Sequence, residues 1–414
     1  MKAFLSVFLA WILVCLLGAL PYFFSGYIPD FTDAVFESVS GFTTTGATTL
    51  ADIEALPGAL LFWRALTHWL GGMGIVVLTV ALFPLPGAGG FQLLKAEAPG
   101  PEVDKIVPKI TDTARILWLL YVILTAAQIL LLMVFGMDWF DAVVHSFSTV
   151  ATGGFSSRNE SIAFYHSPGI EWVCVIFMLL GGYNYTLMYQ ALRGRLRDVF
   201  YNSEARAYGA IVLVSVIIIT ASILPQSPSP ESALRMAFFN TATILSTTGL
   251  FNADYGLWPP LARSVLFFLA FIGGCSGSTA GGIKVIRHLI LWKQTGSEMK
   301  RIIYPRGVFS IQLNGKSGKK EVVYGAAGFV FLYLVTLFAT ALLVSSSGAD
   351  VFLSLNTALI TQGNIGLGPG TLGPFNSFPA FPAYVKWGLC VTMILGRLEL
   401  QTVLVIFTRG FWRR

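Results

Sequence analysis

Charge is what this sequence has least of. Lys, Arg, Asp and Glu make up 12% of its 414 residues, about half the share of an ordinary soluble domain, which excludes a chain that folds alone in water behind a charged surface. Cysteine is scarce too: Cys15, Cys174, Cys275 and Cys390 lie in or beside apolar runs without paired spacing. Neither a disulfide framework nor a zinc site is expected, and each is read as packing. His68 and His145 stand singly near helices and are expected to complete packing or hydrogen bonds rather than bind metal. No Walker or dinucleotide-binding pattern, nucleophile motif or His/Cys/carboxylate cluster is present, so no enzyme is expected. The formal charge of +6 comes from scattered residues and lacks the dense stripe of a nucleic-acid surface.

What is abundant is apolar sequence, at 55% hydrophobic residues and a mean hydropathy of +0.71. The runs Ala3–Phe24, Leu60–Phe83, Val322–Val344 and Tyr384–Phe407 approach or exceed the ~20 residues that cross a bilayer. The first is too long for a signal-peptide core and no small-x-small site follows it. Basic residues gather between these segments: Lys95, Lys105, Lys109 and Arg115; Arg193 to Arg206; Lys300 to Lys320; Arg413 and Arg414. The positive-inside rule makes those faces, and both termini, cytoplasmic. The opposite side, with Asp30, Asp33, Asp52, Glu54, Asp138, Asp141, Asp254 and Asp350, is then external.

The expected fold is an all-α polytopic membrane protein of about eight spanning helices, paired as 3–24 with 60–83, 114–136 with 170–192, 207–224 with 260–293, and 322–345 with 382–408. Between the members of each pair lies a stretch too short and polar to span, read as a helix that descends partway and returns as loop. The loops are Thr43-Thr44-Thr45-Gly46, Ala151-Thr152-Gly153-Gly154, Ser246-Thr247-Thr248-Gly249 and Gly363-Asn364-Ile365-Gly366. Glu37, His145 and Asn240 each precede such a glycine by nine places, and Asn356 precedes Gly366 by ten. Gly153 competes with Gly154 for the second position. The boundaries follow: 1–90 for repeat 1, 91–113 a connection, 114–200 for repeat 2, 201–293 for repeat 3, 294–321 a second connection, 322–414 for repeat 4. Asp30 and Asp33, Asp138 and Asp141, Glu231 and Asp350 stand where the short helices begin and are expected to cap them.

Non-helical backbone at membrane depth is tolerated only inside protein or along a watery path. Four such loops around one axis, in pseudo-fourfold arrangement, therefore enclose a pore for cations. Glycine lets carbonyls converge, and carbonyl ligation without a ring of carboxylates favours a monovalent ion over calcium. Within the third repeat, Gly273-Gly274-Cys275-Ser276-Gly277-Ser278-Thr279-Ala280-Gly281-Gly282 is too rich in glycine to remain helical. Arg397 stands in the last apolar segment, facing either a cavity or Glu399 in an ion pair.

Ser40-Gly41-Phe42-Thr43-Thr44-Thr45-Gly46-Ala47-Thr48, Trp69-Leu70-Gly71-Gly72-Met73-Gly74, Ser146-Phe147-Ser148-Thr149 with Gly153-Gly154-Phe155-Ser156, Ser246-Thr247-Thr248-Gly249 and Gly396-Arg397-Leu398-Glu399 occur in this order. In these the chain resembles the Trk/Ktr/HKT superfamily of potassium transport proteins, most closely the membrane subunit of bacterial Trk systems. The resemblance implies that the four loops form a potassium filter, with K+ held at Gly46, Gly154, Gly249 and Gly366 and at Thr44, Thr45, Ala151, Thr152, Gly153, Thr247, Thr248, Asn364 and Ile365. It implies that residues 273–282 form an intramembrane gate below the filter, which Arg397 bonds. It further implies no cofactor, a homodimer in the bacterial inner membrane, and cytoplasmic nucleotide-binding regulatory subunits of the TrkA kind docking on Gln294–Lys320. Longer members carry an additional helix pair ahead of the first repeat. A carrier coupling potassium to sodium or protons is the alternative, disfavoured because the repeats share one orientation.

Overall fold

The computed structural model describes residues 2–74, 110–307, 309–314, 316–317, 320–368, 378 and 381–412. Its helices are α1 (Lys2–Phe24), α2 (Phe31–Phe42), α3 (Gly58–Gly72), α4 (Ile110–Val134), α5 (Trp139–Val150), α6 (Pro168–Gly181), α7 (Tyr185–Leu192), α8 (Leu196–Tyr201), α9 (Ser203–Ile223), α10 (Pro230–Leu245), α11 (Pro260–Leu269), α12 (Val285–Ile303), α13 (Lys320–Ser345), α14 (Val351–Gln362), α15 (Ala383–Arg397), α16 (Leu400–Leu404) and α17 (Arg409–Trp412). Among the described residues the only sheet is a hairpin, β1 (Gln312–Leu313) antiparallel to β2 (Lys316–Ser317).

The first member of every expected pair, α1, α4, α9 and α13, is a single helix long and apolar enough to cross a bilayer. The second members are different. The sequence reading drew continuous spans at 170–192 and 382–408, whereas the chain bends by 103° between α6 and α7 and by 110° between α15 and the segment from Leu400. The causes are local: Asn184 turns its side chain back to accept from the amides of Thr186 and Leu187, starting a new helix, and Glu399 takes a left-handed φ of 60°. In the third repeat α11 and α12 flank a loop, as the glycines of 273–282 require. α3 ends at Gly72; the expected continuation to residue 83, the 91–113 connection up to residue 109, and Lys95, Lys105, Lys109, Lys319, Arg413 and Arg414 lie outside the described residues.

Polarity is inverted relative to a soluble protein. The long helices present Leu17, Leu119, Ile217 and Leu342 outward, as lipid contact demands. The short helices α2, α5, α10 and α14 bury Glu37, Ser40, His145, Ser148, Asn240, Thr243 and Thr361 in the interior. Each short helix packs against the second helix of the preceding repeat: α5 on α3, α10 on α6, and α2 on α15. Phe267 of α11 stacks on Phe352 of α14 with ring centroids 6.0 Å apart, which completes the cycle.

Three of the expected acidic caps hold. Asp30, Asp138 and Asp350 accept from the amides of Thr32, Phe140 and Leu353 at 2.7, 3.0 and 2.9 Å. The third short helix is capped by Ser229, which accepts from Ser232 N; Glu231 sits in the first turn and pairs with Arg235 at 3.0 Å. Pro230 takes the first helical position, so the cap falls two residues before Glu231. Asp33 and Asp141 are not caps either: Asp33 pairs with Lys386, and Asp141 binds Arg158, Ser157 and Tyr165. Replacing Asp350 with Ala removes an N-cap and is expected to cost about 1 kcal/mol, read as a lower unfolding temperature of the detergent-solubilised protein. An unchanged temperature would mean that α14 is held by packing alone.

Candidate functional site

All four short helices end in the same turn. The amides of Thr45, Gly153, Thr248 and Ile365 bond the carbonyls of Ser40, Ser148, Thr243 and Ile360 at 2.8 to 2.9 Å. The amides of the preceding residues Thr44, Thr152, Thr247 and Asn364 bond Gly41, Thr149, Ile244 and Thr361 at 3.0 to 3.3 Å. These paired bonds form a Schellman motif, which places the residue after the cap in the left-handed region. Thr44, Thr152, Thr247 and Asn364 have φ of 52°, 57°, 57° and 53°. Glycine normally takes this position, so three β-branched residues there mark a turn held by its surroundings. The turn also corrects the register counted in the sequence: from the C-terminal end, Glu37, His145 and Asn240 correspond to Thr357, with Asn356 one residue earlier.

Two residues beyond the left-handed residue comes a glycine, and the four glycines form a closed cycle. A Cβ added to Gly46 would lie 2.1 Å from Gly153 O; one on Gly154, 2.1 Å from Thr248 O; one on Gly249, 2.2 Å from Ile365 O; and one on Gly366, 2.2 Å from Thr45 O. Their φ values are 80°, 85°, 82° and 79°. Each repeat thus presses its glycine on the peptide oxygen of the next, and the fourth returns to the first. Gly154 holds the cyclic position, whereas Gly153 supplies the oxygen beside Gly46. Side chains tie the ring inward: Thr43 Oγ1 lies 2.8 Å from Thr45 Oγ1, Ser246 Oγ 2.6 Å from Thr248 Oγ1, and Asn364 Nδ2 donates to Thr45 Oγ1 at 2.9 Å. Ala151 caps α5 and is buried.

Gly46, Thr48, Arg64, Gly154, Ser156, Phe251 and Leu367, drawn from all four repeats, line a cavity on one side of the ring. At its rim Asn159 accepts from Ile53 N and donates to Asp52, joining the first two repeats, and that hydrogen bond draws the Asp52 carboxyl below its ordinary pKa.

The loop of residues 270–284 is packed beneath the short-helix ends. Gly281 N donates to Thr247 Oγ1 at 2.7 Å, Thr279 Oγ1 to Val150 O and Gly181 O at 3.0 Å each, and Cys275 N to Gly182 O at 2.8 Å. A Cβ on Gly281 would meet Gly363 O at 2.4 Å. Gly273 N bonds Ile283 O and Val285 N bonds Gly274 O, closing the loop at its root. Glu204 of α9 clamps that root, accepting from Ser276 N at 2.7 Å, Ser276 Oγ at 2.6 Å and Ile286 N at 3.2 Å. Ser278 Oγ bonds Cys275 O, and Lys284 donates to Ala280 O. Gly277 and Gly282 both take φ of 67°.

Arg397 reaches the same loop. Its guanidinium donates to Thr279 O at 2.6 Å and to Gly71 O and Gly72 O at 2.7 Å. Glu399 is not its partner; that carboxylate takes Arg287 at 2.6 Å. Of the two open positions for Arg397, contact with the loop is the one adopted. The histidines are hydrogen-bonded: His68 Nδ1 to Ser148 Oγ at 3.0 Å and His145 to Asp141 O and Ser156 Oγ at 2.8 and 2.9 Å. Sequence reasoning missed Glu204, the Arg287–Glu399 pair, and the buried Arg64–Glu37 pair at 3.4 Å. The available signal was isolated charge within or beside apolar runs.

These features define a polytopic helical membrane protein in which four short helices end on one ring of backbone. The profile of the TrkH family, described as cation transport protein, matches residues 1–412, and the chain belongs to that family. It is 41% identical over 418 residues to the Trk system potassium uptake protein TrkH of Salmonella typhimurium, covering 100% of this chain and 86% of the relative. It is 42% identical to the protein of the same name from Halomonas elongata, over 99% of this chain and 86% of that one. Among solved structures it resembles the potassium transporter TrkH from Vibrio parahaemolyticus, with a TM-score of 0.87 and 36% identity, over 99% of this chain and 85% of that chain. Membership places the chain among transport proteins rather than enzymes.

Replacing Gly46 with Ala forces a methyl group into Gly153 O from a left-handed backbone, and is expected to lower the unfolding temperature by several degrees, the effect of ~1 to 3 kcal/mol of overpacking. Gly209→Ala, where nothing lies within 4 Å of the added carbon, is expected to leave it unchanged or raise it. Equal responses would contradict the close approach in the ring.

Proposed function

We propose that this protein takes up potassium through a channel-like path whose filter is the ring at Thr44–Gly46, Thr152–Gly154, Thr247–Gly249 and Asn364–Gly366. The observation that carries the reading is the closed cycle of glycine against peptide oxygen through all four repeats. A dehydrated monovalent cation needs several oxygens at once, and backbone carbonyls supply them without the fixed charge that would favour calcium. Each short helix also directs the negative end of its dipole, ~0.5 charge, at the ring. Potassium as the cargo rests on the names of the relatives.

Residues 273–282 act as the gate, with Arg397 as its anchor. A loop bonded to Thr247, Val150 and Gly181 is suited to obstruct ions leaving the ring, and one hydrogen bond from the Arg397 guanidinium to Thr279 O ties it to Gly71 O and Gly72 O of the first repeat. The stretch Gln294–Lys320 is the docking surface for cytoplasmic nucleotide-binding regulatory subunits, and two copies form a homodimer. The protein resides in the inner membrane of a bacterium with both termini cytoplasmic, an orientation that the basic connections support. The four repeats keep the boundaries given above.

Reconstitution into liposomes tests this. Under opposed potassium and sodium gradients, a potassium-selective reversal potential that persists without a coupling ion is expected. A flux that stops when sodium and the proton gradient are both removed would favour the coupled carrier. Gly249→Asp is expected to abolish the potassium preference with membrane expression intact. Arg397→Ala is expected to raise regulator-free rubidium uptake about tenfold, the shift that losing about 1.4 kcal/mol of charge-assisted bonding produces. Equal or lower uptake at normal protein level would reject the gate.

A further inference from the structure

Three of the short helices carry a buried polar side chain that reaches across to the segment running away from the ring. Glu37 accepts from Thr48 Oγ1 at 2.5 Å and Thr49 N at 2.8 Å. His145 Nε2 lies 2.9 Å from Ser156 Oγ, its other nitrogen being taken by Asp141 O. Asn240 Nδ2 donates to Asn252 Oδ1 at 3.0 Å and to Met236 O at 2.9 Å. All three are fully buried. Each sits three places before the residue whose carbonyl closes the Schellman turn, Ser40, Ser148 or Thr243. Their partners follow the ring glycine at nearly constant distance: Gly46 to Thr48 and Gly154 to Ser156 are two residues, Gly249 to Asn252 three. In the fourth repeat Thr357 holds this register but bonds its own helix at Leu353 O. Asn356 there lies against Gly368, where a Cβ would come within 2.6 Å of Oδ1.

The chemistry of the three differs, a carboxylate, an imidazole and an amide, but the connection is one. Each of these three ring segments is therefore held at both ends, on the helix side by the Schellman bonds and on the far side by this brace. Burying a polar group is costly unless its partner is supplied, so a residue kept at one register in three repeats, with its partner waiting across a turn, is explained by the connection itself. The first two braces are also joined. Arg64 donates to Glu37 and to Ser156 O, the latter at 3.3 Å, and its guanidinium lies 3.9 Å over the Phe155 ring.

We propose that Glu37, His145 and Asn240 are positioning residues that fix the width of the ring, and so discriminate between cations of different size without touching the ion. This rests on the reading of the ring as the filter.

The test is the sodium-to-potassium permeability ratio, taken from reversal potentials of the full-length protein in liposomes, for His145→Leu, His145→Asn and Ser156→Ala, with Gly249→Ala as the ring control. His145→Leu and Ser156→Ala both break the His145–Ser156 bond, the first also losing the contact with Asp141 O and the second the one that Arg158 N donates at 2.9 Å, and are expected to raise the ratio about fivefold, equivalent to about 1 kcal/mol. His145→Asn, the residue the third repeat uses, is expected to return it most of the way to wild type. Should the leucine variant fail to reach the membrane, Ser156→Ala, which removes one oxygen atom only, decides alone. If the brace variants stay within about twofold of wild type while Gly249→Ala shifts the ratio, the braces are structural only and the inference is overturned with the filter reading intact. If Gly249→Ala also leaves the ratio unmoved, the filter reading fails and the braces with it.

Discussion

The contact on which the ring depends is peptide against peptide, where the Cα of a glycine in one repeat meets the carbonyl oxygen of the next. It happens four times in one cycle, and at each meeting even a methyl group would collide. Two other features follow from this geometry. The residue two places earlier must turn left-handed to aim the glycine inward, and the helix before it must end in a Schellman turn that fixes the angle. Three threonines accept an unfavourable φ to do so. A backbone in such a conformation persists only where packing over-determines it, and the short helices supply that packing by wedging against the second helix of the preceding repeat.

The same requirement accounts for the broken second helices. The turn that ends a short helix needs room directly beneath it, and a straight helix in the next layer would fill that space. At Gly71 an added carbon would meet Phe42 O at 1.9 Å, and at Gly396 it would meet Gln362 O at 2.1 Å. Both glycines stand at the ends of helices that stop or bend within a few residues. In the third repeat the break widens into a loop that fills the centre, and charges otherwise costly at this depth are spent on holding it: Glu204 at its root, Arg397 at Thr279. An intramembrane arginine satisfied by three carbonyls from two repeats ties the loop of the third to the helix end of the first.

Much of this was legible in the sequence because it is written in residue types with few other uses. Threonine before glycine at constant spacing from a polar helix residue located the ring, and five glycines in ten residues located the loop. Long apolar runs gave α1, α4, α9 and α13 to within four residues at each end. The bends at 182–184 and 397–399 were not legible, because a glycine pair or a single glycine within an apolar run reads equally well as helix packing, and only the neighbouring chain decides. Ser229 in place of Glu231 as a cap, and Thr357 in place of Asn356 in the register, are two- and one-residue shifts that depend on where a helix starts and stops. Arg64 was a lone charge in an apolar run whose partner, Glu37, lies across the repeat; pattern alone does not join them.

The central claim is that the ring of four glycines and their neighbouring carbonyls replaces the water around a passing cation. Crystals of the protein grown in rubidium or thallium salt, with data collected at the anomalous edge, address it directly. An anomalous peak is expected on the axis between Gly46, Gly154, Gly249 and Gly366. A well-ordered ring without such a peak, with the heavy cation bound elsewhere along the chain, would contradict it.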